Sequence, residues 1–220
     1  MTKPKAHFLH IGKTGGTAVK LALEPHLLAG KYEIVLEHHH TRLSDVPAGE
    51  AVFFVLRHPL TRFVSAFNYR QRRALPREHW PWTPQEAEAF ACFQNANELA
   101  EALSDADDLW RQMAQQAMRS IEHVRDSFWT WLHNPTYFAY RRADVLFVGF
   151  QESLNADFQQ MLYVLGLDAQ IALPADPTVA NRAPSIPQDP LSELGRRNLL
   201  IHYAADVQLY EALNAQRVAA

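Results

Sequence analysis

One stretch of the sequence constrains the fold more than any other: the run AVFFVLR at residues 51–57. Its residues are almost all apolar, and polar positions do not alternate with apolar ones. Such a run is typical of a strand that is buried on both faces, as in the middle of a parallel sheet covered by helices. Pro59 follows where a helical pattern begins, and proline favours the first turn of a helix. The run therefore predicts the central strand of an α/β sheet, followed by a helix.

The rest of the chain continues this alternation of strands and helices. Strand patterns cover residues 6–11, 32–37, 51–57 and 144–152. Helical patterns run over residues 16–30, 59–70, 84–103, 107–132, 152–165 and 191–213, and a proline-rich loop covers residues 171–190. This order predicts an α/β fold: a three-layer, P-loop-like domain with a central, mainly parallel sheet. We expect a single domain over residues 1–220, in which residues 75–142 form a helical insertion that binds the acceptor.

Composition excludes several classes of protein. The 220 residues are 48% hydrophobic, which is enough for one sizeable core. A net charge of −3 lacks the basic excess of a nucleic-acid-binding protein. The single cysteine, Cys92, excludes an internal disulfide and fits a reducing compartment. Because no apolar stretch approaches the roughly 20 residues that span a bilayer, we expect a soluble, cytoplasmic protein without a transmembrane segment.

The segment HFLHIGKTGGT, residues 7–17, joins the first strand to the first helix. A helix N-terminus after a glycine-bearing turn presents free backbone N–H groups and the positive end of the helix dipole, and both favour an anion. Lys13 adds a full charge, and Thr14 and Thr17 add hydroxyl donors. The alternative is an ordinary tight turn before a helix, but the unbroken run KTGGT favours a phosphate-binding loop.

The GKT within this loop suggests a nucleotide hydrolase or kinase, but the surrounding residues argue against it. The Walker A pattern needs a glycine five residues before Gly12, where this chain has His7. Its glycines follow the lysine instead of preceding it. The strongest strand ends in Arg57 and His58, with no aspartate to hold Mg²⁺. We therefore expect a phosphate loop that works without a metal ion.

A second motif, LRHPLTRFVSAFNYR at residues 56–70, follows the central strand. Arg57 leaves the sheet at its carboxyl edge, where open α/β sheets bind ligands. Arg62, Ser65 and Tyr69 are spaced to share one face of the following helix. An arginine and a hydroxyl that converge on one point form a phosphate clamp, because the guanidinium fork matches phosphate oxygens. The alternative is that Arg57 forms a buried ion pair and Ser65 is merely a small helix residue.

Together, HFLHIGKTGGT and FFVLRHPLTRFVSAF resemble the paired signatures of sulfotransferases that use 3′-phosphoadenosine 5′-phosphosulfate (PAPS), most closely the carbohydrate sulfotransferases and their bacterial relatives. The first signature implies a 5′-phosphosulfate site made by Lys13, Thr14, Gly15, Gly16 and Thr17. The second implies a 3′-phosphate site made by Arg57 and Ser65. The family often has proline where Gly12 stands, which loosens the turn but removes no donor. Weaker similarities occur at VGFQE, NRAPS and DVQLY, whereas residues 75–142 match nothing in the family pattern.

The resemblance implies transfer of a sulfuryl group from PAPS to a hydroxyl, with a carbohydrate as one acceptor class. Catalysis of this kind rests on positioning and on charge stabilisation. Lys13 is suited to stabilise the leaving phosphate, and a sulfuryl group carries less charge than a phosphoryl group, so no metal is needed. By the same resemblance, Ser65 contacts Lys13 and restrains hydrolysis of the co-substrate. The late loop of the family, which folds over the nucleotide, implies that Arg182 reaches the 3′-phosphate; a surface arginine is the alternative.

An acceptor hydroxyl needs a general base, and histidine titrates in the right range. The segment EHHHTRL at residues 37–43 follows the second strand and so lies at the ligand edge, and related enzymes carry a His or Glu base near this place. Our choice is His39, followed by His40 and His38, while Glu37 could replace or orient the base. The alternatives are a metal site, which three adjacent residues form poorly, and histidines that are solvated or serve packing.

Two further clusters have a plain structural interpretation. The five tryptophans could line an acceptor pocket, but aromatic residues at helical spacing are more often core. The arginines after the second motif could attract an anionic acceptor, but a solvated helix end is favoured; they are Arg70, Arg72, Arg73 and Arg77. Beside the sulfotransferase, two alternative functions stay open: a P-loop kinase or hydrolase, and a non-catalytic nucleotide-binding protein with this fold.

Overall fold

Four parallel strands form the sheet, in the order β2-β1-β3-β4. They are β1 (Lys5–Leu9), β2 (Glu33–Leu36), β3 (Ala51–Leu56) and β4 (Val145–Phe150). The computed structural model describes residues 2–75, 78–176 and 191–218, with only the backbone described at Val218. The predicted α/β fold with a parallel sheet is confirmed. As predicted from its unbroken apolar run, β3 lies inside the sheet between β1 and β4, and Val52–Leu56 are buried.

Helices make up most of the remaining described residues. They are α1 (Gly16–Leu23), α2 (Pro59–Gln71), α3 (Pro84–Cys92), α4 (Ala96–Ala102), α5 (Asp108–Ser120), α6 (Trp129–Leu132), α7 (Pro135–Tyr140), α8 (Leu154–Leu165), α9 (Glu193–His202) and α10 (Ala204–Val218). Short 3₁₀ turns occupy Glu24–His26, Leu43–Asp45, Arg142–Asp144 and Gln151–Ser153. None of the helices in the described ranges is long and apolar enough to cross a membrane.

The described residues group into two compact units. The sheet unit comprises residues 2–57, 128–176 and 213–218, and the helical unit comprises residues 58–75, 78–127 and 191–212. The described part of residues 75–142 contains helices α3 to α7 and divides between the two units at Phe128, and its role as a helical insertion stays a prediction. The single domain over 1–220 stays a prediction.

In the sheet unit, alternate residues of each strand face opposite layers. Phe8 and Phe53 pack with α1 and α8 on one face, where Val19, Leu23, Phe158, Met161 and Leu162 complete the core. On the other face, Phe54 contacts the ring of Phe138 from α7, with centroids 6.4 Å apart. The sheet is therefore covered on both sides, as its continuous apolar strands require.

The helical unit has a core of its own. It includes Phe63 and Phe67 of α2, Phe93, and residues of α4, α5 and α9. Arg70 and Glu86 form a buried, two-pronged ion pair, with Nε–Oε1 2.7 Å and Nη2–Oε2 2.5 Å. The expectation of a solvated helix end is therefore wrong for Arg70, because Glu86 offers it a buried carboxylate; Arg77 lies outside the described residues.

Three predicted helices are interrupted. The pattern at 84–103 breaks before α4, because the Asn95 side chain accepts the N–H of Glu98 and so caps a new helix. The pattern at 107–132 ends at Ser120, and His123 has φ 65°, a left-handed conformation that a right-handed helix does not continue. The last pattern divides into α9 and α10 near Tyr203, whose hydroxyl donates to Val124 O at 2.7 Å.

The tryptophans serve different roles. Trp131 is buried in the sheet unit, and Trp82 and Trp110 pack against the core of the helical unit. Trp80 is 56% exposed. The core interpretation therefore holds for Trp82, Trp110 and Trp131 but is wrong for Trp80.

Candidate active site at the carboxyl edge of the sheet

The strand order creates a crevice at one place in the sheet. The chain leaves β1 towards β2 on one side and leaves β3 towards β4 on the other, so the connections diverge between the paired strands β1 and β3. In open α/β sheets, ligands bind outside the carboxyl ends of the strands at such a switch point. Residues 10–15 follow β1, and Arg57 follows β3. Both sequence motifs therefore begin at this crevice.

The loop between β1 and α1 has a defined backbone conformation. Lys13 has φ 66° and Gly15 has φ 92°, both in the left-handed region. This conformation costs a non-glycine residue about 1–2 kcal/mol, so at Lys13 the surrounding contacts must impose it. One such contact is the buried hydroxyl of Thr14, which donates to Ile11 O at 2.9 Å. The Thr14 hydroxyl proton thus closes the loop.

The two glycines before and within α1 sit in tight contacts. A Cβ on Gly16 would lie 2.5 Å from Cδ2 of His10, and a Cβ on Gly15 would lie 2.9 Å from Cδ2 of Leu154. At Gly15 the positive φ adds backbone strain for any other residue. Steric contacts, as well as the chemistry of the loop, therefore explain why glycine occupies these two positions.

The N-terminus of α1 presents to the loop backbone N–H groups that the helix itself does not bond. The first bond of this helix runs from Ala18 N to Gly15 O at 3.1 Å, so the N–H groups of Gly16 and Thr17 precede the helix's own bonding. Arg57 Nη1 reaches Lys13 O at 3.5 Å. The arginine of the second motif thus lies against the loop of the first, and the helix dipole and two cations give this place a positive potential.

The histidine segment after β2 lies beside the loop. The ring of His39 is half-buried, with its centroid 5.1 Å from that of His10, 5.5 Å from His40 and 5.7 Å from Trp131. The indole Nε1 of Trp131 donates to His39 O at 2.7 Å. His38 and His40 are exposed. Through His10, which packs on Gly16, the His39 ring is connected to the start of α1.

One polar group near the site was missed by the sequence reasoning. His7, in the middle of β1, is 6% exposed and lies between two carboxylates: Nδ1 is 2.7 Å from Glu37 Oε1, and Nε2 is 2.6 Å from Glu50 Oε2. Lys20 Nζ also donates to Glu37 O at 2.9 Å. A titratable residue inside an otherwise apolar strand was the available signal. Glu37, expected as an alternative base, here has its carboxylate on His7.

The remaining predicted residues belong to the helical unit or fall outside the described residues. Ser65 is half-buried in α2 of the helical unit. Arg62 of the same helix is buried, and its Nη1 donates to Asp126 O at 2.6 Å, so it is held inside that unit. Asn181 and Arg182 lie outside the described residues. Among the residues that the structure describes, no group of three or more His, Cys, Asp or Glu side chains could hold a metal ion.

Comparison with known proteins points to the same chemistry as the two motifs. A search against protein families matches the sulfotransferase family over residues 2–211. Neither the curated proteins nor the solved structures searched gave a match. The family match covers nearly the whole chain, including both motifs and the strands that carry them. The chain therefore belongs to the sulfotransferase family.

Proposed function

We propose that this protein transfers a sulfuryl group from PAPS to the hydroxyl of an acceptor, with carbohydrates as the first acceptor class. The observation that carries the proposal is the meeting of two cationic motifs at the switch point, where Arg57 Nη1 lies 3.5 Å from Lys13 O. A phosphate loop on one strand and an arginine on its neighbour suit a ligand with two separate phosphate groups. PAPS is such a ligand, with a 3′-phosphate and a 5′-phosphosulfate.

The phosphate loop supplies the 5′ half of this site. The backbone N–H groups of Gly16 and Thr17, the side chain of Lys13 and the hydroxyl of Thr17 bind the phosphosulfate. Gly15 lets the chain turn into α1. Thr14 contributes its backbone, because its hydroxyl proton goes to Ile11 O.

Arg57 supplies the 3′ half, and the family resemblance adds Ser65 and Arg182. The guanidinium can donate two parallel hydrogen bonds to phosphate oxygens. The contact of Arg57 Nη1 with Lys13 O, at 3.5 Å, places this guanidinium beside the phosphate loop. The resemblance further assigns Ser65 a contact with Lys13 that restrains hydrolysis of PAPS.

In the reaction, the acceptor oxygen attacks sulfur while the bond from sulfur to the bridging phosphate oxygen breaks. The electron pair of that bond stays on the bridging oxygen, where the Lys13 ammonium stabilises it. The acceptor proton passes to the neutral imidazole of His39, with His40 as the second choice. The products are a sulfate ester and adenosine 3′,5′-bisphosphate (PAP). These residues supply the charge that the step requires without a metal ion.

Acceptor binding and location complete the proposal. Residues 75–142, which carry none of the family motifs, are the proposed source of acceptor contacts. The single cysteine and the absence of a spanning helix among the described residues support a cytoplasmic enzyme.

The test is transfer of radiolabelled sulfate from PAPS to a panel of glycans, glycolipids, phenols and alcohols. We expect a labelled ester with the wild type and none with Lys13→Ala. If PAP binds but no panel member becomes labelled, the chain is a non-catalytic nucleotide-binding protein and the proposal fails. If PAP does not bind either, the donor assignment fails as well.

A further inference from the structure

Trp131 lies in the short helix α6, far from both motifs in sequence, yet it contacts the proposed base. Its side chain is buried, with the residue 2% exposed, and its indole Nε1 donates to His39 O at 2.7 Å. Its ring centroid lies 5.7 Å from that of His39. One side chain therefore holds both the backbone and the ring of His39.

His10 faces the same ring from another direction. Its ring meets His39 edge to face at 5.1 Å, with an interplanar angle of 72°. His10 in turn packs on Gly16, where even a single Cβ would approach within 2.5 Å of its ring. The His39 imidazole therefore lies against Trp131 and against a histidine that rests on the phosphate loop.

Hydrogen bonds hold the backbone of the histidine segment at two places, its start and His39. Glu37 N donates to Phe8 O at 3.2 Å, and Lys20 Nζ donates to Glu37 O at 2.9 Å, which joins the start of the segment to β1 and α1. The chain then turns, with Thr41 N donating to His38 O at 3.0 Å. At His39 itself, the indole of Trp131 donates to the carbonyl.

We propose that Trp131 is a positioning residue for sulfuryl transfer, fixing the orientation of the His39 imidazole beside the phosphate loop. This inference rests on the proposed function, in which His39 accepts the acceptor proton. A general base must lie within hydrogen-bond reach of that proton, and a displacement of about 1 Å can lower a rate about a hundredfold. A purely packing role would need only an aromatic ring, whereas positioning needs the N–H as well.

The decisive variant is Trp131→Phe, which keeps a ring and removes the donor. Tyr203→Phe is the matched control, because it also keeps a ring and removes a donor to a backbone carbonyl, Val124 O at 2.7 Å, but in the helical unit and outside residues 75–142. We expect both variants to lose similar thermal stability and to keep PAP affinity within about twofold. Turnover of PAPS should fall at least about tenfold in Trp131→Phe alone, with an unchanged KM for PAPS.

Trp131→His provides a rescue, because its Nε2–H can occupy the place of the indole N–H without the second ring. We expect its turnover to exceed that of Trp131→Phe although its core is less filled. If both variants lose turnover only in proportion to their loss of folded protein, Trp131 is a packing residue and the inference is overturned.

A spectroscopic readout separates this inference from the proposed function. The Hε1 resonance of His39, assigned by its loss in His39→Gln, should shift in Trp131→Phe and stay in place in Tyr203→Phe. A shifted resonance with unchanged turnover contradicts catalytic positioning. If the wild type neither binds PAP nor consumes PAPS, the proposed function fails. If the His39 resonance does not move in Trp131→Phe, positioning by Trp131 is contradicted, whatever the outcome for the proposed function.

Discussion

At the scale of single residues, Lys13 is the residue of the phosphate loop with the most unusual backbone conformation and the only one with a charged side chain. Lys13 has a left-handed backbone conformation that non-glycine residues disfavour, and such strained conformations cluster at active sites and ligand-binding loops. Gly15 and Gly16 around it leave no room for side chains. The loop therefore combines one charged residue with small backbone positions, which suits the phosphosulfate of the proposed function.

Lys13→Ala and Arg57→Ala should each weaken PAP binding by about 1.5–3 kcal/mol, the range for hydrogen bonds to charged groups. This corresponds to a loss of about 10–150-fold in affinity, measured by calorimetry. Lys5→Ala is the charge-matched control, because Lys5 is exposed at the opposite, amino end of β1. Unchanged affinity in both site variants would remove the two-point clamp from the proposal.

His39→Ala should lower turnover by about 10²–10⁴-fold, the usual contribution of a general base. PAP affinity should stay within about twofold, because in the proposed mechanism the imidazole acts on the acceptor and not on the nucleotide. His202→Ala, at an exposed position of the helical unit outside residues 75–142, is the control and should retain full turnover. Full activity in His39→Ala would move the base to His40 or His38.

At the scale of elements, the sequence predicted the sheet well and the helix breaks poorly. Each strand is a local apolar run, so its place and burial follow from a few neighbouring residues. The breaks at Asn95, His123 and Tyr203 depend on one cap, one backbone conformation and one distant hydrogen bond. Periodicity continues through such points because the apolar residues on both sides serve the same core.

In the candidate site, too, some features follow from local sequence and others depend on distant contacts. Lys13, Arg57 and His39 were placed at one edge because each follows a parallel strand, which is a topological argument. The bridge from His7 to Glu37 and Glu50 joins the middle of β1 to the residue after β2 and the residue before β3, and the bond from Trp131 to His39 spans 92 positions. Contacts of this kind depend on side-chain geometry that no local pattern encodes.

The Arg70–Glu86 pair makes an element-scale prediction for the helical unit. Glu86→Gln should destabilise this unit by about 3–5 kcal/mol, because it leaves the buried guanidinium without its charge partner. Chemical denaturation of the full chain measures the effect. Glu122→Gln is the control: this carboxylate contacts the same arginine at 3.5 Å but is 38% exposed, so its loss should cost under about 1 kcal/mol.

The Arg70–Glu86 pair also makes the stability of the helical unit depend on pH. Burial raises the pKa of Glu86, but hydrogen bonds from Arg70 and from backbone N–H groups outweigh it and hold the pKa below its ordinary value of 4.5. A carboxyl whose pKa is lowered in the folded state stabilises that state fully at pH values above its unfolded-state pKa. This stabilisation is lost as pH falls through its folded-state pKa. The difference in free energy of unfolding between wild type and Glu86→Gln should therefore become smaller below about pH 4.5. A gap that widens on acidification would contradict the ion pair.

At the scale of the whole molecule, the site depends on the strand order and on both motifs rather than on either alone. A phosphate loop by itself is compatible with a kinase or hydrolase, in which Mg²⁺ bridges the phosphates. In the proposed function Arg57 instead binds a separate 3′-phosphate and Lys13 stabilises the leaving phosphate, so the reaction needs no metal ion. The requirement for Mg²⁺ therefore separates the two classes of enzyme.

We expect PAP at about one hundred times its Kd to raise the melting temperature of the full chain by about 5–10 °C, with Mg²⁺ present or with EDTA. The estimate combines about 2.7 kcal/mol of binding stabilisation with about 2–4 °C per kcal/mol for a chain of this size. Differential scanning fluorimetry measures the shift, and Lys13→Ala at the same PAP concentration is the control, with a smaller shift. ATP with Mg²⁺ should shift the wild type less than PAP does, because it carries no 3′-phosphate for Arg57. Stabilisation by ATP that disappears with EDTA, together with no response to PAP, would instead identify a P-loop kinase or hydrolase.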